Sequence, residues 1–329
     1  MRICLPLLIV ALWFAGWYLE VTEPAAERPA PQVIYIPPGT PVKEVAHLLR
    51  ARGLLRSEWG FYLEGLRLGL LSRLKAGEYE LSPHQSPAEI LRQLAEGRVI
   101  THIVTIPEGA NVWEVADLLE RAGLISRKEF LARALDSDLA HSLGIPGPTV
   151  EGFLFPDTYY FVKGLSAEEI IRIMVERFWE VWRKYEPRAR ELGVSVYEVV
   201  TLASIVEKEA VLSREKPLIA AVYWNRLRRG MPLQADPTVR YALRRFRGRL
   251  YYKHLRVDSP YNTYRYPGLP PTPIANPGEK SLRAVLYPAK VPYLYFVSRG
   301  DGSHKFSTTY REHLRAVREL RRKRQRSYQ

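Results

Sequence analysis

One nineteen-residue stretch of this chain occurs twice, and that repetition constrains the fold more than any other feature of the sequence. Ile36 to Leu54 (IPPGTPVKEVAHLLRARGL) returns seventy positions later as Ile106 to Leu124 (IPEGANVWEVADLLERAGL). Ile36, Pro37, Gly39, Val42, Glu44, Val45, Ala46, Leu48, Leu49, Gly53 and Leu54 all have identical counterparts. Each copy opens with a β-type run (Val33 to Ile36; His102 to Ile106) and turns at Pro-x-Gly. An amphipathic helix follows, because Val42, Val45, Ala46 and Leu49 recur at i, i+3, i+4 and i+7, and Gly53 sits where a helix-ending glycine belongs. Between the copies the pattern predicts a strand around Glu78 to Leu81. A helix then starts near Pro87, capped by Gln85 or Ser86, and ends at Gly97. A strand–helix–helix–strand unit of this size suits a small carbohydrate-binding module; the alternative is a duplicated spacer. Either way the chain is α+β.

The first twenty residues bear on location. Ile3 to Leu19 (ICLPLLIVALWFAGWYL) carries no charge, with Arg2 before it and Glu20 and Glu23 after it. A run of about 17 apolar residues lies at the lower edge of what spans a bilayer core. A cleaved signal peptide is the rival reading, but no small-x-small site closes the run. Trp13, Trp17 and Tyr18 stand there instead, at the depth of an interfacial aromatic belt. The expectation is a transmembrane anchor over 3–20 with its N-terminus cytoplasmic, a cytoplasmic stub at 1–2 and a Pro/Ala-rich spacer over 21–32.

Composition excludes more than it selects. Forty-nine Lys+Arg against 35 Asp+Glu give a net charge of +14, which points to an anionic partner or surface. No basic-aromatic module for nucleic acid is present, and the anchor's orientation places the basic surface away from it, so no nucleic-acid partner is expected. A single cysteine, Cys4, rules out an internal disulfide framework. No HExxH, GxGxxG or GxxxxGK[ST] pattern and no metal-ligand spacing appears, so neither metal nor other cofactor is expected.

Chemistry concentrates in Ser195 to Val211 (SVYEVVTLASIVEKEAV), which Ser195-Val-Tyr-Glu198 opens as a capping box. Tyr197, Thr201, Ser204 and Lys208 share one polar arc and the rest is apolar, so the helix should be largely buried. Glu207 and Glu209 fall within or beside the apolar arc, about 200° apart, and therefore cannot face one cleft. A carboxyl among Ile, Leu and Val has its charged form disfavoured and its pKa raised, as a general acid near neutrality requires. The residues alone leave open which glutamate that is, or whether each simply pairs with a cation.

The segments ASIVEKEA, EGFLFPDTYY (Glu151 to Tyr160), NRLRRGMPLQADPTVRYAL (Asn225 to Leu243), SPYNTYRYPGLPPTPIANPGEKSL (Ser259 to Leu282) and YLYFVSRGDGSHKFS (Tyr293 to Ser307) occur in this order. Together they resemble the endolytic murein transglycosylase family, MltG or YceG-like, over essentially the whole chain. The resemblance implies a LysM-like α/β module over 33–100 and a second repeat copy with connector over 101–148. A mixed α+β catalytic domain with a basic tail would occupy 149–329. It also implies a bacterial inner-membrane, single-pass lyase that cuts the MurNAc-GlcNAc bond of nascent peptidoglycan strands, leaves 1,6-anhydro-MurNAc ends and so terminates elongation. Cell-wall synthases and division or elongation proteins are the expected partners. A noncatalytic wall-binding scaffold of the same machinery is the alternative.

Laying Ile205-Val-Glu-Lys-Glu209-Ala210 on the Ile-x-x-x-Glu-Ser pattern of lytic transglycosylases makes Glu209 the acid, with Glu207 second. Ala210 replaces the serine, so help from a hydroxyl must come from elsewhere. A lytic transglycosylase uses the sugar's own C6 hydroxyl as nucleophile, so one glutamate serves twice; hydrolysis would need a second carboxyl. Glu151, Asp157 and Asp236 are the candidates for that second group, although Asp157 and Asp236 read as turn caps. Expected substrate contacts are Glu151, Asn225, Gln234, Asp236, Thr238, Tyr261, Asn262, Thr263 and Tyr264, in which amides and hydroxyls alternate with rings able to stack on sugar faces. His304 is a candidate second proton carrier or a structural histidine.

Overall fold

The computed structural model describes residues 4–25 and 30–326. The expected stub at 1–2, residues 26–29 of the spacer and the last three residues of the basic tail lie outside the described residues. The chain forms two compact units, one comprising Met1–Ile103 with Tyr160–Leu165, the other Val104–Tyr159 with Ser166–Gln329. Contacts divide the chain near residue 103, so the helix of the second repeat copy belongs to the larger unit.

In the smaller unit α1 (Cys4–Thr22) takes up the uncharged run. Among the described residues, however, no helix is long and apolar enough to cross a membrane. Next come β1 (Gln32–Ile36), α2 (Val42–Ala51), α3 (Glu58–Leu68), β2 (Gly77–Leu81), α4 (Pro87–Glu96) and β3 (Thr101–Thr105). The period-2 alternation of β1 buries Ile34 and Ile36, and β1 pairs antiparallel with β2, Gln32 opposite Leu81 and Ile36 opposite Gly77. The i, i+3, i+4, i+7 stripe of α2 puts Val45, Ala46 and Leu49 against Phe61, Tyr79, Ile90, Leu91 and Leu94 in one core. Ser86 caps α4 in a capping box with Glu89, and Gly97 closes it at φ 76°, a left-handed conformation that costs glycine nothing.

The larger unit continues with α5 (Val112–Arg121), α6 (Arg127–Ala134), α7 (Ser137–Ser142), β4 (Thr158–Val162), α8 (Ala167–Trp182) and α9 (Glu186–Leu192). It ends with α10 (Val196–Glu209), α11 (Lys216–Arg228), α12 (Asp236–Ala242), α13 (Glu279–Leu286), β5 (Tyr295–Ser298), β6 (His304–Ser307) and α14 (Tyr310–Arg326). β5 pairs with β6 as an antiparallel hairpin, Tyr295 opposite Ser307. α10 packs against α11, α12 and α13, and every residue from Val199 to Val206 is buried. The polar arc read on this helix is therefore not a solvent face. The proline-rich loop after Asn262 covers it: Tyr197 donates to the Pro271 carbonyl (3.0 Å), and Ser204 Oγ accepts from the Ile274 N–H (3.0 Å).

Candidate active site

Ser195 and Glu198 close the capping box of α10, and the helix stays buried from Val199 to Val206 before ending at Glu209, its last residue. The position matters twice. A carboxylate at a helix C-terminus meets the negative end of the helix dipole, and the surrounding apolar packing withdraws water. Burial, with the nearby Asp236 charge adding to it, pushes the Glu209 carboxyl up to about 7, against the opposing effects of the Tyr223 hydroxyl and Arg240. Tyr223, buried on α11, donates its hydroxyl to Glu209 Oε1 at 3.2 Å. This is a hydroxyl partner from another element, such as Ala210 made necessary.

Glu209 is enclosed without being sealed. It borders a cavity of about 390 Å³, walled on the far side by Arg226, Gln234, Tyr295 and Tyr310, and a smaller one of about 150 Å³ shared with Arg240, Tyr241 and Phe246. Asp236 lines both, together with a third of about 550 Å³ that carries Tyr251, Tyr252 and Tyr264. The Tyr264 hydroxyl donates to Asp236 Oδ1 at 2.6 Å, and Asp236 itself is exposed. One half-buried acid and one exposed carboxylate thus stand where cavities meet. A larger cavity, about 570 Å³ along α5, holds more acidic groups, but these are already engaged. Asp117 pairs with Arg127 (2.7 Å), and Glu114 accepts from the Asn111 N–H (3.1 Å). Size alone would choose this cavity; the chemistry favours the site around Glu209.

Glu207 points elsewhere. It pairs with the buried Lys216 (2.8 Å) and accepts from the Gly278 N–H (3.0 Å) and Ser281 hydroxyl (2.6 Å), which saturates it as a tie between helices. Its cation is Lys216, at the start of α11.

Of the expected substrate contacts, Gln234, Asp236 and Tyr264 line the cavities beside Glu209. The others are spent inside the protein. Glu151 is fully buried, accepting from the Val112 N–H (3.1 Å) and the Tyr241 hydroxyl (3.1 Å). Burial pushes it to about 8, higher than Glu209, but it borders none of these cavities and has no route to a substrate. Asn225 straps the Val291 and Tyr293 carbonyls, each at 2.9 Å. Thr238 and Thr263 bond each other at 2.9 Å under the α12 N-terminus. Asn262 holds the Leu255 and Val257 carbonyls, and the Tyr261 hydroxyl contacts Thr272. In each case the polar atoms that looked available for sugar are spent on internal partners; Asn225 and Asn262 in particular supply donors to the carbonyls of a loop-rich region. Asp157 does cap its turn, bonding the Thr158 N–H (2.8 Å). Asp236 does not: the residue flanking α12 is Ala235, with Asp236 inside the first turn. His304 borders the 390 Å³ cavity with Nδ1 2.7 Å from Glu215. Sequence reasoning missed Tyr223 and Arg226 because both lie on α11, whose pattern has no polar stripe to isolate them. Among the described residues no group of His, Cys, Asp and Glu is gathered that could hold a metal.

A mixed α+β unit with a raised acid at the junction of polar, aromatic-walled cavities defines a candidate acid–base enzyme. Residues 34–319 match the model of the YceG-like family, and the chain belongs to that family. It is 34% identical over 299 residues to a Bacillus subtilis protein named endolytic murein transglycosylase, covering 86% of this chain and 83% of that one. A Streptococcus pneumoniae protein of the same name is 27% identical over 318 residues, and there the match spans only 57% of the relative's length. The crystal structure of a yceG-like protein from Listeria monocytogenes superposes with a TM-score of 0.61 at 34% identity, over 88% of this chain and 100% of that one.

Proposed function

We propose that this protein is a murein lytic transglycosylase that cuts glycan strands internally, with Glu209 as its acid and then its base. The observation that carries the reading is a carboxyl raised to about 7 and open to cavities on two sides. Protonated Glu209 gives its proton to the oxygen between MurNAc and GlcNAc, and the C1–O bond breaks as positive charge grows on the muramyl ring. The muramyl C6 hydroxyl closes on C1, and its proton returns to the Glu209 carboxylate, leaving the 1,6-anhydro end and a regenerated acid. No second carboxyl is needed, whereas hydrolysis would require one. Asp236, held by Tyr264, is placed to favour the positive ring, and its charge helps keep Glu209 protonated beforehand.

The same proposal places the enzyme at the outer face of the bacterial inner membrane, held there by α1, whose uncharged run follows Arg2. The β1–α2–α3–β2 unit serves as a LysM-like wall-binding module, and synthases and division or elongation proteins are its neighbours. Mass spectrometry of glycan strands digested by the detergent-solubilised full chain tests the chemistry. Wild type and Glu207→Gln protein should release anhydro-muramyl ends, and Glu209→Gln none. Reducing ends in place of anhydro ends, or an active Glu209→Gln protein, would refute it. Strand binding without cleavage by wild type would leave a scaffold.

A further inference from the structure

Among the described residues Arg226 has no anionic partner. It is 7% exposed, and its hydrogen bonds all go to neutral oxygens. Nε donates to the Leu294 carbonyl (2.7 Å), while Nη1 donates to the carbonyls of Pro232 (3.1 Å) and Leu233 (2.8 Å) and to Gln234 Oε1 (3.2 Å). Nη2 takes no acceptor among the described residues, and Arg226 lines the 390 Å³ cavity that ends at Glu209. The guanidinium also stacks over the Tyr295 ring, 5.1 Å from its centroid. A buried cation is costly to keep unless an anion or a strong hydrogen-bond partner completes it. The other cations of that wall are not available: His304 is committed to Glu215, and burial together with Arg226 pushes His313 towards its neutral form.

We propose that this cavity is a carboxylate subsite, in which Arg226 Nη2 and the Gln234 amide hold an acidic group carried by the sugar on one side of the scissile bond. The inference rests on the murein reading. The glycan backbone itself offers only hydroxyls and acetamides. Its carboxylates hang from alternate sugars, either on the lactyl ether of muramic acid or on the peptide that ether bears. A carboxylate subsite adjoining Glu209 would therefore fix the register of the strand and decide which of the two alternating linkages meets the acid. Charge-assisted bonds from guanidinium to carboxylate are the strong and directional kind that such a choice needs. Gln234 adopts φ 52°, and this left-handed backbone lies beside the same guanidinium.

The test is equilibrium binding to the full chain carrying Glu209→Gln, which separates recognition from turnover. The probes are peptide-bearing strand fragments, stripped fragments with a free lactyl carboxylate, and chito-oligosaccharides of equal length with no carboxylate. At least one carboxylate-bearing probe should bind about tenfold or more tighter than the chito-oligosaccharide; which one identifies the source. Adding Gln234→Glu places a like charge beside the subsite and should abolish that preference, with chito-oligosaccharide affinity held within about twofold. Arg226→Gln should do the same if its melting temperature is kept; if it unfolds, the exposed Gln234→Glu variant decides. Equal affinity for all three probes, or equal weakening of all three by Gln234→Glu, would overturn the subsite. Because binding needs no cleavage, that result differs from a failure of wild type to make anhydro ends, which would refute the transglycosylase reading.

Discussion

Desolvation lifts two carboxyls, Glu209 to about 7 and Glu151 to about 8, and their surroundings set different consequences. For Glu209, under the proposed mechanism, the consequence is catalytic: the protonated form acts as the acid, so cleavage should decline as pH rises through about 7. Asp236→Asn removes a charge that raises Glu209, so the alkaline fall should move to lower pH and the maximal rate should drop. A pH–rate profile of the two proteins checks this, and an unmoved limb would mean that the Asp236 charge is not felt at Glu209. For Glu151 the consequence is stability. A carboxyl whose pKa is higher folded than unfolded binds its proton more tightly in the native state. Its stabilising effect is full below the ordinary value near 4.5 and is lost as pH rises to about 8. At 1.36 kcal/mol per unit the loss is on the order of 5 kcal/mol as an upper figure, since local relaxation relieves part of it. Thermal melts should show wild type weakening across this window, with Glu151→Gln nearly flat over the same range.

At the scale of elements, α10 is fixed at both ends: its capping box sets where it starts, and Glu207 ties its last turn to α11 through Lys216 and to α13 through Ser281. Breaking a buried pair by deleting one partner typically costs about 3–5 kcal/mol. Glu108, 3.7 Å from Lys216, offers a partial substitute, so Glu207→Ala should fall at the lower end of that range. Denaturant unfolding measures it, and the protein that remains folded should keep its activity, unlike Glu209→Gln. The helix itself was legible because its determinants are local: a capping box, an unbroken apolar run, and two glutamates too far apart in angle to share a cleft. The same holds for β1, α2 and α4, whose periodicity and closing glycines lie within a dozen residues. What surrounds Glu209 was not legible. Tyr223 and Arg226 reach the site from α11, and the Asn262–Tyr264 loop turned its amide inward and only Tyr264 outward. Whether a polar side chain meets solvent or a neighbouring carbonyl is settled by tertiary packing, and spacing carries no trace of it.

For the whole molecule the excess of +14 needs a place to act, and α14 supplies one. Arg311, Arg315, Arg318 and Arg322 recur at i, i+4, i+7 and i+11, and all four are exposed. Ala316 is buried on the opposite side, where the helix packs on β5 and β6. Such a stripe gains little from internal ion pairs and projects its field outward, where an anionic polymer or headgroup layer can meet it. Interactions of this kind are screened over roughly 10 Å at 0.1 M salt and about 3 Å at 1 M. Arg315→Gln, Arg318→Gln and Arg322→Gln combined should therefore weaken sedimentation with isolated cell-wall sacculi at low salt and change it little at high salt, where wild type has already lost the same contribution. The carboxylate preference assigned to Arg226 should persist in that triple variant, because a buried cation in a cavity is screened far less than an exposed stripe. If the triple variant binds sacculi as wild type does at low salt, the charge excess has some other purpose than holding the enzyme to its polymer.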